Sequence, residues 1–203
     1  KLFDQQIRPI LEYGSEIWCQ TKQILELEKV QLWYIKNAIG LNKQTSTHAV
    51  LGDTGRFPLY LRQQDSMIKY WCRLMNLHKD DILSKIYNDL YNLSIKGHDT
   101  WAGRAIKLIE ESANTGKLVH NILDSDTVNH FKSKSREARY DNYIKIWERE
   151  IKDHSKYPKL RKYKLFKTSY NAEPYIVSLT NRKYQRSISR LRASSHKLHI
   201  ETG

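Results

Sequence analysis

The stretch ILELEKVQLWYIKNAIG, Ile24 to Gly40, decides the class of fold. Ile24, Leu27, Val30, Tyr34, Ile35, Ala38 and Ile39 recur at steps of three and four, which lays a wide apolar stripe along one side of an α-helix. Gly40 then stands where left-handed backbone ends a helix. The same period runs outward in both directions. Leu2, Phe3, Ile7, Ile10 and Leu11 form an earlier helix with Pro9 as a kink or restart, and Gly14-Ser15 breaks it before Glu16 to Cys19. Downstream, Ser46 or Thr47 caps a short helix through Leu51 that Gly52 closes. Gly55 to Leu59 is a turn whose Pro58 suits the first position of a helix. That helix runs to about Leu77 and buries Leu61, Ile68, Trp71, Cys72 and Met75.

A second section begins near residues 78–81. Asp80-Asp81 cap a helix through Leu93, and Thr100 caps another from Trp101 that Asn114-Thr115-Gly116 ends. Leu118 to Leu123 is a further short element. Asp126 or Thr127 opens a long polar helix to about His154, with Phe131, Ala138, Ile144, Trp147 and Ile151 as its buried positions. Lys156 to Tyr170 (KYPKLRKYKLFKTSY) has the imperfect alternation of an extended segment, and Pro174 starts the last helical stretch. The protein is expected to be mainly α, with boundaries near 79/80 and 155/156.

Charge narrows the function classes. The chain carries 35 basic and 22 acidic residues, a formal net charge of +13, and a mean hydropathy of −0.71. Residues 1–100 hold 13 basic and 11 acidic groups; residues 101–203 hold 22 and 11. From Lys156 onward 12 Lys or Arg face only Glu173 and Glu201, with six Tyr and Phe interleaved. Such one-sidedness points to a polyanionic partner, the alternative being a solvated basic surface. No apolar run approaches the roughly 18–20 residues of a membrane span, and no signal-peptide pattern appears in the sequence. Cys19 and Cys72 sit in apolar helical contexts and read as buried free thiols of a reducing, intracellular compartment.

The last helix has a readable geometry. Tyr184, Ile188 and Leu191 stack on one side and are expected to pack on the body. Arg182, Arg186 and Arg190 recur every four residues on the opposite side, where they can meet phosphates. Lys156, Lys159, Arg161, Lys162, Lys164, Lys167, Lys183 and Arg192 complete the expected nucleic-acid contacts. Lys29, Lys36 and Lys43 make a looser series at seven-residue spacing.

Catalytic arrangements do not emerge. Asp80-Asp81 opens a helix instead of sitting on a tight strand turn, so capping explains it better than metal binding; Asp124 and Asp126 read the same way. His196 and His199 are spaced to share a metal but lack a surrounding ligand set. Gly116-Lys117 lacks the rest of a phosphate-binding loop, and neither cysteine has a nucleophile's partners. The chain by itself does not read as an enzyme.

Leu2-Phe3 followed by PILEYGSEIW (Pro9 to Trp18), LEKVQL (Leu27 to Leu32), Ile39-Gly40-Leu41 and GDTGRFPL (Gly52 to Leu59) resemble the segment just after the polymerase core in reverse transcriptases of non-LTR retrotransposons. The likeness is greatest to the jockey-like elements of animals. LRASSHKLHIETG, Leu191 to Gly203, resembles the stretch that in these elements leads into a small Cys/His zinc module. The resemblance spans residues 2–77 and 182–203, and the middle only in size and polarity.

The resemblance implies a thumb-like helical bundle at residues 1–79, a helical connector at 80–155, and a basic, aromatic-rich segment at 156–203. The family's catalytic carboxylates and their divalent metal would lie upstream of Leu2 and its zinc ligands downstream of Gly203, so no catalytic residue, metal site or cofactor falls on this chain. Partners would be RNA, DNA or their hybrid, together with the polymerase core of the same polypeptide, in a nuclear or cytoplasmic ribonucleoprotein. The apolar, helical start at Lys1 and the end at Gly203 without a helix stop fit a piece of a larger protein. A free-standing helical protein-interaction module and a non-functional element remnant are the other readings.

Overall fold

The computed structural model describes residues 2–19, 24–113, 125–153 and 155–195. The protein is mainly α, with no strand among the described residues. A π-turn over Phe3–Ile7 leads into α1 (Arg8–Glu12), and α2 (Ser15–Trp18) follows Gly14. Then come α3 (Ile24–Ile39), α4 (Thr47–Thr54), α5 (Leu59–Met75), α6 (Ile82–Ile95) and α7 (Trp101–Ala113). The long α8 (Ser125–Lys152) precedes a 3-10 turn at Pro158–Leu160, α9 (Tyr163–Phe166), α10 (Pro174–Ser178) and α11 (Arg182–Arg192). No described helix is long and apolar enough to cross a membrane. The expected stop at Asn114-Thr115-Gly116 and the element at Leu118 to Leu123 lie outside the described residues.

Local chemistry explains most ends. The Asp81 carboxylate accepts from the Leu83 N–H at 2.9 Å, capping α6. Thr100 Oγ1 accepts from the Gly103 N–H at 3.2 Å and donates to the Leu90 carbonyl at 2.9 Å, so it starts α7 and ties it to α6. One expectation fails: Gly52 does not close α4, which continues to Thr54 and stops at Gly55 with φ +62°.

The chain divides into two compact units, each assembled from two separate stretches. One unit comprises Lys1–Ile24 with Leu59–Asn142, the other Leu25–Pro58 with Tyr143–Gly203.

In the first unit α5 supplies Met67, Ile68, Trp71, Cys72 and Leu74 to a core shared with Cys19, Tyr87, Trp101, Ala105, Leu108 and Val128. Both indole N–H groups in this core find partners: Trp71 Nε1 donates to Tyr87 Oη at 3.0 Å, and Trp101 Nε1 to the Glu16 carbonyl at 2.7 Å. Cys19 and Cys72 are buried free thiols, and burial pushes the Cys72 thiol up to about 11. The α8 face differs from expectation. Ala138 is exposed, whereas Ser135 and Arg139 are buried, because the Arg139 guanidinium is paired with Asp65 of α5. Arg136 Nε (3.4 Å) and Tyr140 Oη (3.2 Å) reach the same carboxylate.

The second unit is built around Trp147, Ile151, Leu160, Tyr163 and Ala49, with Ile35, Ile39, Val50 and Leu51 alongside. Here α3 turns Gln31 inward while Val30 and Ala38 stay exposed. The buried Gln31 amide donates to the Phe57 carbonyl and to Glu28 Oε1, each at 3.1 Å, which satisfies it inside the unit. Gly52 is required by close approach. A Cβ there would lie 2.6 Å from Trp147 Cζ2 and 2.7 Å from Tyr163 Oη. A Cβ on Gly55 would lie 2.4 Å from the Ala172 nitrogen.

Candidate nucleic-acid interface

The basic segment after α8 is coiled into short turns, not extended. Leu160 and Tyr163 are fully buried, three residues apart, and that spacing suits a helical turn in place of a strand's alternation. With those two anchors inward, Lys159, Arg161, Lys162 and Lys164 are left exposed, and none has a carboxylate partner among the described residues. Lys156 Nζ is held by Glu150 at 3.0 Å and lies 5.2 Å over the Tyr157 ring. The hydrogen bond that Lys156 donates to Glu150 raises the Lys156 pKa, so its charge is secure.

Lys167 and Arg192, expected among the contacts, point inward. Lys167 Nζ is fully enclosed and donates to the Asn171 carbonyl (2.5 Å), Asn171 Oδ1 (3.0 Å) and Glu173 Oε1 (2.7 Å). Arg192 Nη2 meets Glu173 Oε2 at 3.2 Å, and its Nε and Nη2 donate to both oxygens of Asp53, each at 3.2 Å. Asp53 also accepts from Tyr163 Oη at 2.9 Å and Tyr175 Oη at 2.7 Å. Burial works against the Arg192 charge, but the Asp53 hydrogen bonds and field outweigh it and raise the pKa. Two carboxylates and two cations therefore close an internal, charge-balanced network. Asp53 of the GDTGRFPL block is its centre, a role that local sequence conceals because its partners are 110 to 139 residues away.

That network sets the rotation of α11. Its inward positions are Gln185, Ser189 and Arg192, and Gln185 Nε2 donates to the Ile176 carbonyl at 2.9 Å. Tyr184 and Leu191, expected to pack, are 65% and 67% exposed, and Ile188 is half-buried. The helix is turned by roughly 100°, one residue's step, from the amphipathic expectation. Burying an Arg–Asp pair dictates the turn; a few apolar side chains do not. Arg182, Lys183, Arg186 and Arg190 remain exposed. Arg190 Nε donates to the Gly40 carbonyl at 2.8 Å, and the Arg186 stem lies against the same glycine. Asn181 caps the helix through the Lys183 N–H at 3.0 Å, so Arg182 and Lys183 stand in its first turn. Cations there oppose the helix dipole, so they do nothing for the helix itself and add to a field that favours anions.

A cleft of about 470 Å³, lined by Thr45, Thr47, His48, Lys156, Tyr157 and Lys159, lies beside the first turn of α4. Burial depresses the His48 pKa, with Glu150 raising and Lys156 lowering it, and the ring stands edge-on to Tyr157 at 4.8 Å. Ser46 stands just before α4, but its side chain makes no capping hydrogen bond, and that the basic segment folds back onto this start was not legible in the sequence. Lys29 is paired with Glu26 at 2.6 Å, and Lys36 donates to the Lys43 carbonyl at 2.7 Å, so the seven-residue series is not a row of free cations. Asp80 pairs with His78 at 3.3 Å, consistent with a helix start. Among the described residues no three His, Cys, Asp or Glu side chains gather as a metal site, and His196 and His199 lie outside them.

No protein-family model, curated protein or solved structure matches the chain.

Proposed function

We propose that this chain is the nucleic-acid binding and positioning part of a non-LTR retrotransposon RNA-directed DNA polymerase. It grips template RNA, target DNA or their hybrid through backbone contacts, inside an intracellular ribonucleoprotein, while a core elsewhere in the parent polypeptide carries the chemistry. One observation supports the reading above others. Lys159, Arg161, Lys162, Lys164, Arg182, Lys183 and Arg186 stand exposed with no carboxylate partner among the described residues, while Glu173, the segment's one acid among them, is consumed internally. Lys and Arg in that state bind phosphates without reading bases.

The test is oligonucleotide affinity against salt. Replacing Lys159, Arg161, Lys162 and Lys164 by Gln is expected to lower the log–log salt slope by roughly 3, at about 0.7–0.9 per lost phosphate contact. Arg182→Gln with Lys183→Gln and Arg186→Gln lowers it by roughly 2 on the same basis. Salt-insensitive binding, or no binding, would sink the proposal. A second reading is favoured by Leu165, Phe166, Val177, Tyr184 and Leu191, all more than half exposed: a surface for a protein partner. Salt-insensitive capture of a protein with no oligonucleotide affinity selects it.

A further inference from the structure

Helix α5 carries Ser66, Lys69 and Arg73 at three- and four-residue steps along one side, Asn76 follows in the turn just past its end, and Lys132 of α8 joins them. Together they line a cleft of about 370 Å³ in the first unit, with Tyr70 and Glu16. Lys69 and Arg73 are exposed and Lys132 is half-buried. Elsewhere in this unit arginines are matched with acids: Arg8 with Asp4, Arg62 with Glu12, Arg104 with Asp99, and Arg136 and Arg139 with Asp65. The three cations of the cleft have no such partner among the described residues, and neither do the polar side chains of Ser66 and Asn76. Three like charges converging on one concavity repel one another and focus a positive field within it. An anion seated there relieves that repulsion.

The walls are fixed before any ligand arrives. The Glu16 carbonyl is held by Trp101 Nε1 at 2.7 Å, and the Tyr70 ring stands edge-on to Trp101 at 5.5 Å. Among the described residues Glu16 is the cleft's one acid, against three cations. We propose that this cleft is a phosphate-ester site: Lys69, Arg73 and Lys132 hold the phosphate oxygens, and Glu16 accepts from a hydroxyl of the attached sugar. Arg73 supplies the planar fork that suits two phosphate oxygens, the lysines supply point charges, and Asn76 and Ser66 donate hydrogen bonds. The volume is that of a small-ligand pocket and suits one nucleotide unit, either within a strand or free. The inference does not rest on the connector's basic surface.

The experiment follows the 31P line width of inorganic phosphate as the 203-residue chain is added, with circular dichroism as the control for folding. The wild-type chain broadens the line. Lys69→Gln with Arg73→Gln and Lys132→Gln reduces the broadening roughly fivefold, whereas removing three exposed charges of the same unit outside the cleft, Lys85→Gln with Lys96→Gln and Lys107→Gln, leaves it unchanged. Should the half-buried Lys132 prove needed for folding, the exposed pair Lys69→Gln with Arg73→Gln decides, with a loss of about threefold expected. No broadening by the wild-type chain, or equal broadening by these variants, overturns the site. Glu16→Gln raises affinity for inorganic phosphate and lowers it for a nucleoside monophosphate; a parallel change in both overturns the assignment of Glu16. A single-stranded oligonucleotide that displaces phosphate identifies a strand's backbone as the source. Phosphate retained beside a bound strand identifies a free ester. If no oligonucleotide binds, the proposed function falls while the phosphate titration still decides this cleft.

Discussion

Asp53→Ala is the sharpest test of how the second unit is held. The carboxylate is nearly inaccessible and takes two bonds from Arg192, at 3.2 Å each, and one each from Tyr163 and Tyr175. Removing one partner of a buried pair costs about 3–5 kcal/mol, chiefly because the other charge stays buried. Arg192 keeps Glu173 at 3.2 Å and Tyr163 keeps the Ala49 carbonyl at 3.3 Å, so the loss belongs near the lower end, about 3 kcal/mol. Asp53→Asn retains an acceptor oxygen and loses the charge, for about 2 kcal/mol. In urea, with a slope of about 1–3 kcal/mol per molar, the alanine variant drops the midpoint by roughly 1–3 M. Trp147, whose Nε1 donates to the His48 carbonyl at 2.8 Å, contributes to the unit's fluorescence signal. Asp53→Ala combined with Arg192→Ala costs about 1–3 kcal/mol less than the two single losses together. A single-variant loss below about 1 kcal/mol at unchanged slope refutes the network as a stabilising centre.

Burial raises the pKa of Tyr163, Tyr170 and Tyr175 above the ordinary phenol value. Unfolded tyrosines lose protons from about pH 10 while these keep theirs, so stability falls as pH rises beyond about 10. Phenolate absorbance from them is expected to appear together with loss of helical dichroism; full phenolate signal from an intact helical protein contradicts it. Gly52→Ala drives a methyl into Trp147 and Tyr163 and costs about 1–3 kcal/mol of unfolding free energy, whereas a neutral result would mean that the approach is softer than 2.6 Å implies.

Elements whose causes are local were legible in advance. The period of Ile24 to Ile39, the Asp81 and Thr100 caps, and the Gly14 break each depend on groups within a few residues, and each stands where the sequence put it. The candidate interface was legible only in part. Lys159, Arg161, Lys162, Lys164, Arg182, Lys183 and Arg186 are exposed as the composition suggested, but Lys167 and Arg192 look no different from them in sequence and are interior.

The sequence by itself determined that this is a helical protein with its positive charge massed at one end, because period, caps and composition are properties of short stretches. Tertiary structure decided which side of each helix is inside. Arg139 is buried in place of Ala138 because Asp65, 74 residues earlier, needs a cation, and α11 turns its Tyr184 and Leu191 to solvent because Asp53 requires Arg192. It also decided that Leu25–Pro58 packs with Tyr143–Gly203 instead of with its neighbours in sequence. A buried charge without a partner costs more than a few exposed apolar side chains, so distant carboxylates, not the local apolar pattern, set these rotations.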